Sequence, residues 1–196
     1  MKYLLLVACV TLITPVQTPA MSKCSLTREQ SPEIRGVRLG MTTDQLLSRF
    51  PDFDNRERIN SAIAQSQRPE SYGAATFELV PDREKANPRF AGVNSITVWL
   101  IDQRVTKFYV TYRGPEWKTV DQFVTKLNEA LRLPSSAWDP GSQTGQRMSC
   151  DGFTVDAYIS NGSPVSGVAV QDTSAPQVVE DRREAAREKV RQAFRP

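Results

Sequence analysis

The stretch 148-MSCDGFTV-155 contains the strongest hairpin signal in the chain. Its Asp151-Gly152 dipeptide favours a two-residue β-turn, and strand-forming residues lie on both sides of it. A two-residue turn determines how the strands pair, so that alternate side chains share one face. We predict that the buried face of this hairpin carries Met148, Cys150, Phe153 and Val155.

A second hairpin is indicated upstream, on either side of Asp102-Gln103. Apolar residues alternate along both of its strands, which is typical of a sheet with one buried face. Both apolar sets have even numbers, and a two-residue loop would place them on opposite faces. We therefore predict a three-residue connection that ends in a left-handed residue and a bulge. The two sets are Ile96, Val98 and Leu100 on one strand, and Phe108, Val110 and Tyr112 on the other.

Helix signals occur in several further segments. The spacing of a capping box occurs twice, in Thr42 with Gln45 and in Thr119 with Gln122. Ser174 is a third candidate N-cap, with a Gln three residues later. After Thr119, apolar residues recur on one face at helical period. We predict helices over 42–50, 56–67, 119–133 and 174–194, strands over 75–80 and 168–171, and loops over 81–94 and 134–146.

These elements predict an α+β fold, in which helices pack on one face of an antiparallel sheet. The order of one capped helix followed by three strands occurs twice, in 36–113 and in 115–172, with negligible sequence identity. We assign residues 21–174 to this domain and 175–196 to a charged C-terminal helix. Glu–Arg pairs three residues apart stabilise that helix by roughly 0.2–0.5 kcal/mol each. We expect it to project or to dock lightly, and a partner-docking arm is the alternative.

Residues 1–20 have the features of a secretory signal peptide. Lys2 precedes a short apolar run, and the small residues of 18-TPA-20 are typical of a cleavage site. The run is shorter than the ~20 apolar residues of a membrane-spanning helix. We expect cleavage after residue 20 and a location in the periplasm or outside the cell. Lipid attachment at Cys9 and translation from Met21 are the open alternatives.

Removal of this segment leaves two cysteines, Cys24 and Cys150. Such a pair normally forms a disulfide in an oxidising compartment, and two buried free thiols are the alternative. The chain has no Cys-x-x-Cys spacing, so nothing indicates redox catalysis or a thiolate metal site.

The composition excludes several kinds of chemistry. The chain has 25 Lys and Arg against 22 Asp and Glu, and no His, which excludes Ser-His and Cys-His nucleophiles and His-ligated zinc. Its net charge of +3 is too small to indicate nucleic-acid binding. The segment 52-DFDN-55 begins like a calcium loop, but Arg56 stands at a ligand position. We predict no catalytic, cofactor-binding or metal-binding residue, and a histidine-free secreted hydrolase is the enzymatic alternative.

One stretch carries a family resemblance. The sequence 36-GVRLGMT-42, followed by 45-QLL-47 and 50-FP-51, resembles the turn and short helix of the SmpA/OmlA-type outer-membrane-assembly lipoproteins. The tandem plan of the two halves is similar to that of beta-lactamase inhibitor protein-like modules. The resemblance implies an exported, non-enzymatic module that binds other proteins. It carries over no functional residue, because no inhibitory loop aligns.

The second face of the predicted sheet is rich in aromatic residues. Because such residues are enriched at interface cores, we predict that Trp99, Lys107, Tyr109 and Tyr158 form a face that binds a protein partner. The alternatives are that they stabilise the sheet across strands, or that the C-terminal helix covers them. A structural envelope component that self-associates through its tail is a further alternative, and the oligomeric state stays open. The residues that alternation predicts on this second face are Thr97, Trp99, Lys107, Tyr109, Thr111, Thr154, Asp156 and Tyr158.

The signal-peptide hypothesis predicts where the mature chain begins. Because cleavage is expected after residue 20, mass spectrometry of the exported protein should give an N-terminus at or near Met21. An acylated Cys9 would contradict this hypothesis and would make the protein a lipoprotein.

Overall fold

The chain builds a layer of helices on a seven-stranded sheet. The computed structural model describes residues 24–80, 90–160 and 162–194. All strands within these residues join one antiparallel sheet, and the predicted α+β class is confirmed. The helices are α1 (Thr43–Arg49), α2 (Phe53–Ser66), α3 (Val120–Leu131) and α4 (Ala175–Ala193). The strands are β1 (Ala74–Leu79), β2 (Val93–Ile101), β3 (Arg104–Arg113), β4 (Trp138–Ser142), β5 (Gly145–Cys150), β6 (Phe153–Ile159) and β7 (Val165–Asp172).

The strand order is β1-β2-β3-β7-β6-β5-β4. The N-terminal half of the chain supplies β1–β3 and the C-terminal half supplies β4–β7, and the two groups meet where β3 pairs with β7. This pairing is continuous from Lys107, opposite Gln171, to Arg113, opposite Val165. The two halves therefore share one sheet and one core. Their internal duplication stays a prediction, and the second half has one strand more than the predicted plan.

That additional strand lies in the segment 134–146, and the prediction that this segment is a loop is wrong. A 3₁₀ turn at Ser135–Ala137 leads into β4, which pairs Trp138 with Met148 at the edge of the sheet. Trp138 packs against the core, and its indole N–H donates to Asn128 Oδ1 at 2.8 Å. Proline and glycine in β4 conceal it from sequence patterns, although both are tolerated at a sheet edge.

The β2–β3 hairpin has a two-residue turn, so the predicted three-residue connection is wrong. Asp102 and Gln103 both adopt a left-handed backbone, with φ of 50° and 59°, which is the geometry of a tight hairpin turn. The pairing then shifts within the strands, where Thr106 forms a bulge. This bulge, rather than the length of the turn, brings both apolar sets to the buried face. The resulting pairs include Ile96 with Val110 and Val98 with Phe108.

The β5–β6 hairpin confirms the predicted pairing. Cys150 pairs with Phe153 and Met148 pairs with Val155, around a turn in which Gly152 has a φ of 78°. Three of the four predicted inward side chains are completely buried, and that of Cys150 is half-buried.

The start of α1 forms the predicted capping box. The N–H of Gln45 donates to Thr42 Oγ1 at 3.3 Å, and the N–H of Thr42 donates to Gln45 Oε1 at 2.9 Å. Helix α2 begins at Phe53 rather than at residue 56, because Asp52 is its N-cap and accepts the N–H of Asn55 at 2.9 Å. The segment that begins like a calcium loop is therefore the start of a helix.

The predicted side-chain caps of α3 and α4 do not form. Before α3, Gln122 accepts the N–H of Lys118 at 3.2 Å, and the Thr119 side chain makes no capping bond. Before α4, Ser174 donates its N–H and its hydroxyl to Asp172 Oδ1 at 2.8 and 2.7 Å. The start of α4 thus depends on a buried carboxylate at the end of β7.

Helices α1–α3 pack on one face of the sheet. Leu46 of α1, Ile59 of α2 and Phe123 of α3 are buried in the same apolar cluster as Val98 and Phe108 of the sheet. Full burial of a side chain of this size stabilises the fold by roughly 1.5–3 kcal/mol. These three helices therefore cover one face of the sheet, and they leave the other face without their cover.

The N-terminal arm is held against the β5–β6 hairpin. The predicted disulfide between Cys24 and Cys150 is present. Arg28 Nε also forms a 2.8 Å ion pair with Asp172, whose side chain is 3% exposed. Asp172 also accepts hydrogen bonds from Ser174 at the start of α4. Its contacts therefore connect this helix to the N-terminal arm, which the disulfide joins to the hairpin.

Some predictions concern residues outside the described ranges. They are the signal peptide, the alternative lipid-attachment residue Cys9, and residues 81–89 of the first predicted loop. Among the described helices, none combines the length and the apolar character that crossing a membrane requires.

Reduction of the disulfide is expected to lower the stability of the fold strongly. The bond joins residues 126 positions apart, and chain entropy gives a loop of this length about 5 kcal/mol of stabilisation. Its loss should lower the melting temperature by roughly 10–20 °C, as measured by thermal unfolding with and without reductant.

The control is the double variant Cys24→Ser/Cys150→Ser, whose melting temperature should not respond to reductant. Alkylation of both cysteines in native, unreduced protein would show that the bond is absent.

Candidate protein-binding face

We term the sheet face opposite α1–α3 the open face. It carries Trp99, Lys107, Tyr109 and Tyr158, the four residues predicted to bind a partner, and each is half-buried. The strand register aligns the side chains of this face in rows that cross the sheet. The end row contains Thr76, Trp99, Lys107, Gln171, Thr154 and Ser149, and the middle row contains Glu78, Thr97, Tyr109, Ala169, Asp156 and Arg147.

Tyr109 and Tyr158 form the centre of the open face. Their rings stack with centroids 5.2 Å apart and an interplanar angle of 21°. Gly167, directly opposite Tyr158 on β7, leaves the space for this stack, because a Cβ at that position would overlap the Tyr158 ring. Burial raises the pKa of Tyr109 above the ordinary value of a tyrosine phenol. The hydroxyl of Tyr158 is buried and has no hydrogen-bond partner among the described residues.

Sequence reasoning missed the part that β7 plays in this stack. The sequence does contain a signal for it, because β7 has two small residues, Gly167 and Ala169, at positions that face the open side of the sheet. Glycine within a strand often marks a close approach of another group. Only the strand order shows that the approaching group is Tyr158.

Lys107 lies directly opposite Trp99 on the neighbouring strand. Its Nζ is 4.8 Å from the centroid of the Trp99 ring, which is a cation–π distance. Such a contact contributes about 0.5–1 kcal/mol at an exposed site. It also holds the ammonium group at one end of the open face.

Arg147 and Asp156 form an ion pair in the middle row. Arg147 Nε donates to Asp156 Oδ1 at 2.6 Å, and this hydrogen bond is the main cause of a raised pKa for Arg147. The Arg147 side chain is 61% exposed, so the pair adds only about 0.2–1 kcal/mol to stability. Sequence reasoning placed Asp156 on this face but did not find Arg147, because β5 begins earlier than expected.

Helix α4 covers one end of the open face and then extends beyond it. Arg182 donates to both carboxylate oxygens of Asp102, at 2.9 and 2.6 Å, and to the carbonyl oxygen of Tyr72 at 2.8 Å. The hydrogen bonds from Arg182 lower the pKa of Asp102. Further along, every described residue after 186 is exposed, including Val190 at 72% and Phe194 at 75%. The C-terminal helix therefore docks along its first half and projects along its second half.

A cavity of about 170 Å³ lies between α4 and the end row of the open face. Trp99 and Lys107 line it from the sheet, and Val179 lines it from α4. Helix α4 therefore lies across this cavity from Trp99, whose side chain stays half-buried. Tyr109 and Tyr158 do not line this cavity, and they pair with each other across the strands.

The carboxylates of the described residues do not form a metal-binding cluster. No group of three or more His, Cys, Asp or Glu residues within them is placed to hold a metal ion. A second cavity, of about 520 Å³, lies beside the start of α3. Its single lining carboxylate is Asp121, which accepts a hydrogen bond from Gln146. Glycoside hydrolysis usually requires two carboxyl groups.

No family model, curated protein or solved structure matches the chain. The resemblance to the SmpA/OmlA-type lipoproteins and to inhibitor protein-like modules therefore stays a prediction.

The stack over Gly167 predicts a specific coupling between two residues. Gly167→Ala should destabilise the fold by about 1–3 kcal/mol, because the added methyl group displaces the Tyr158 ring. In a Tyr158→Ala background the same substitution should cost much less. Unfolding in urea of the two single variants and the double variant measures this coupling.

Gly145→Ala is the matched control. Gly145 also lies opposite Tyr158, but a Cβ there would make only ordinary contacts, the nearest at 3.6 Å. Equal destabilisation by the two alanine substitutions would contradict the argument that the ring requires a glycine at position 167.

Proposed function

We propose that the protein is a non-enzymatic module that binds another protein through its open face. The observation that carries the proposal is a set of half-buried aromatic side chains on a sheet face that α1–α3 leave uncovered. Trp, Tyr and Arg dominate the binding energy of protein interfaces. The open face carries all three residue types close together. They are Trp99 in the end row, Tyr109 and Arg147 in the middle row, and Tyr158 on β6, beyond the middle row.

The side chains of this face already contact one another without a partner. Tyr109 is stacked on Tyr158, Lys107 lies over Trp99, and Arg147 is paired with its neighbour on β6. Ordering a flexible side chain at an interface costs roughly 0.5–1.5 kcal/mol. Contacts within the open face reduce that cost, which supports its use as a binding surface.

We place this binding activity in the periplasm or outside the cell. The disulfide between Cys24 and Cys150 supports this location, because such bonds persist in oxidising compartments. The signal-peptide features of residues 1–20 and the resemblance to envelope lipoproteins favour the same location.

One observation favours a second function, self-association as a structural component. Val190 and Phe194 are large apolar side chains on the projecting half of the C-terminal helix, and both are mostly exposed. Sedimentation at increasing protein concentration distinguishes the two functions, because a binding module stays monomeric. The histidine-free hydrolase stays the enzymatic alternative.

The proposal is tested by removing an aromatic side chain from the centre of the open face. Tyr109→Ala should weaken the binding of a partner isolated from envelope extracts by about thirtyfold, as expected for a hot-spot residue. Its melting temperature should fall by only a few degrees, because Tyr109 is half-buried. Surface plasmon resonance with the isolated partner measures the affinity.

Trp117→Ala is the matched control, because Trp117 is a half-buried aromatic residue that packs on Phe123 of α3, away from the open face. Its affinity for the partner should equal that of the unmodified protein. Unchanged binding by Tyr109→Ala, or an equal loss in both variants, would refute the proposed function.

A further inference from the structure

The cavity between α4 and the open face has the size of a single side-chain pocket. Its volume of about 170 Å³ is close to that of an apolar cavity of about 150 Å³ that accommodates benzene. Trp99, Pro176 and Val179 supply apolar walls, and Lys107 is the only charged residue among the described residues that line it. The cavity therefore has room for one Leu- or Phe-sized side chain beside a positive charge.

The positive charge at this cavity has no carboxylate partner among the described residues. The ammonium group of Lys107 lies over the Trp99 ring. The carboxylates of Asp102, Asp156 and Asp172 are each paired with an arginine, and Glu78 lies in the next row of the open face. The first residues of α4, Ala175 and Pro176, also line the cavity and add no charge to it. A ligand with a negative charge next to its apolar group therefore complements this site.

We propose that the cavity is an anchor pocket for a segment of the partner protein. One apolar side chain of that segment enters the cavity, and the carboxylate of an adjacent Asp or Glu pairs with Lys107. This inference rests on the proposed function, and it names the chemistry of the partner. Trp99 and Lys107 belong both to the pocket and to the end row of the open face, so a partner that covers this face also covers the pocket.

The probe for this pocket is the capped dipeptide acetyl-Phe-Asp-amide, with acetyl-Phe-Asn-amide as its uncharged control. In a titration followed by nuclear magnetic resonance, the Asp peptide should shift the indole N–H signal of Trp99 until the signal saturates. The Asn peptide should bind about tenfold more weakly, because it lacks the charge-assisted contact with Lys107. The variant Trp99→Phe identifies the signal among the three tryptophans of the chain.

Two variants separate the contribution of the charge from that of the cavity. Lys107→Gln should remove the preference for the Asp peptide, while the pocket itself remains. Val179→Phe places a ring in the cavity and should abolish binding of both peptides. Val190→Phe is the matched control, because Val190 lies on the projecting half of α4 and is 72% exposed.

The anchor-pocket proposal is overturned if the Trp99 signal shows no saturable shift or if the two peptides bind with equal affinity. It is also overturned if Val179→Phe leaves peptide binding unchanged. Tighter binding of 3-phenylpropionate than of the Asp peptide would also overturn it, because the pocket would then suit a free small acid. These results leave the proposed function standing if Tyr109→Ala weakens partner binding, since Tyr109 does not line the cavity. The proposed function itself would be refuted instead if Tyr109→Ala left the affinity for the partner unchanged.

Discussion

The arrangement of the open face depends on the pairing of β3 with β7. These strands come from different halves of the chain, and their register places Tyr109 opposite Ala169. Tyr158 of the next strand can then stack on Tyr109 beside Gly167. A shift of this register by one residue would turn Tyr109 into the core and Phe108 toward solvent. The demands of the core and the geometry of the aromatic stack therefore select the same pairing.

The boundary of the open face is determined by residues that lie outside it. Asp102 adopts a left-handed backbone in the β2–β3 turn, which Asp tolerates better than most residues do, and its carboxylate accepts two hydrogen bonds from Arg182. At the start of α4, Asp172 accepts the N–H of Ser174 and is itself neutralised by Arg28 of the N-terminal arm. These two carboxylates set the line of α4 across the sheet, and thereby the cavity beneath Val179.

Much of the fold was predictable because the relevant interactions are local. The Thr42 capping box, the apolar period after Thr119 and the Asp151-Gly152 turn each depend on residues close together in sequence. All three elements formed in the predicted place, although the side-chain cap at Thr119 did not. Strand alternation in turn predicted which residues lie on the open face.

The rest was decided by contacts between residues far apart in the sequence. The bulge at Thr106 and the edge strand that begins at Trp138 depend on their pairing partners, which local propensity does not reveal. The space at Gly167 and the contact between Arg182 and Asp102, 80 positions apart, appear only when the strand order is known. Alternation shows on which face a side chain lies, whereas only the sheet shows which side chains are neighbours. The sequence by itself therefore determined the composition of the open face, and the tertiary structure decided its stack, its boundary and its pocket.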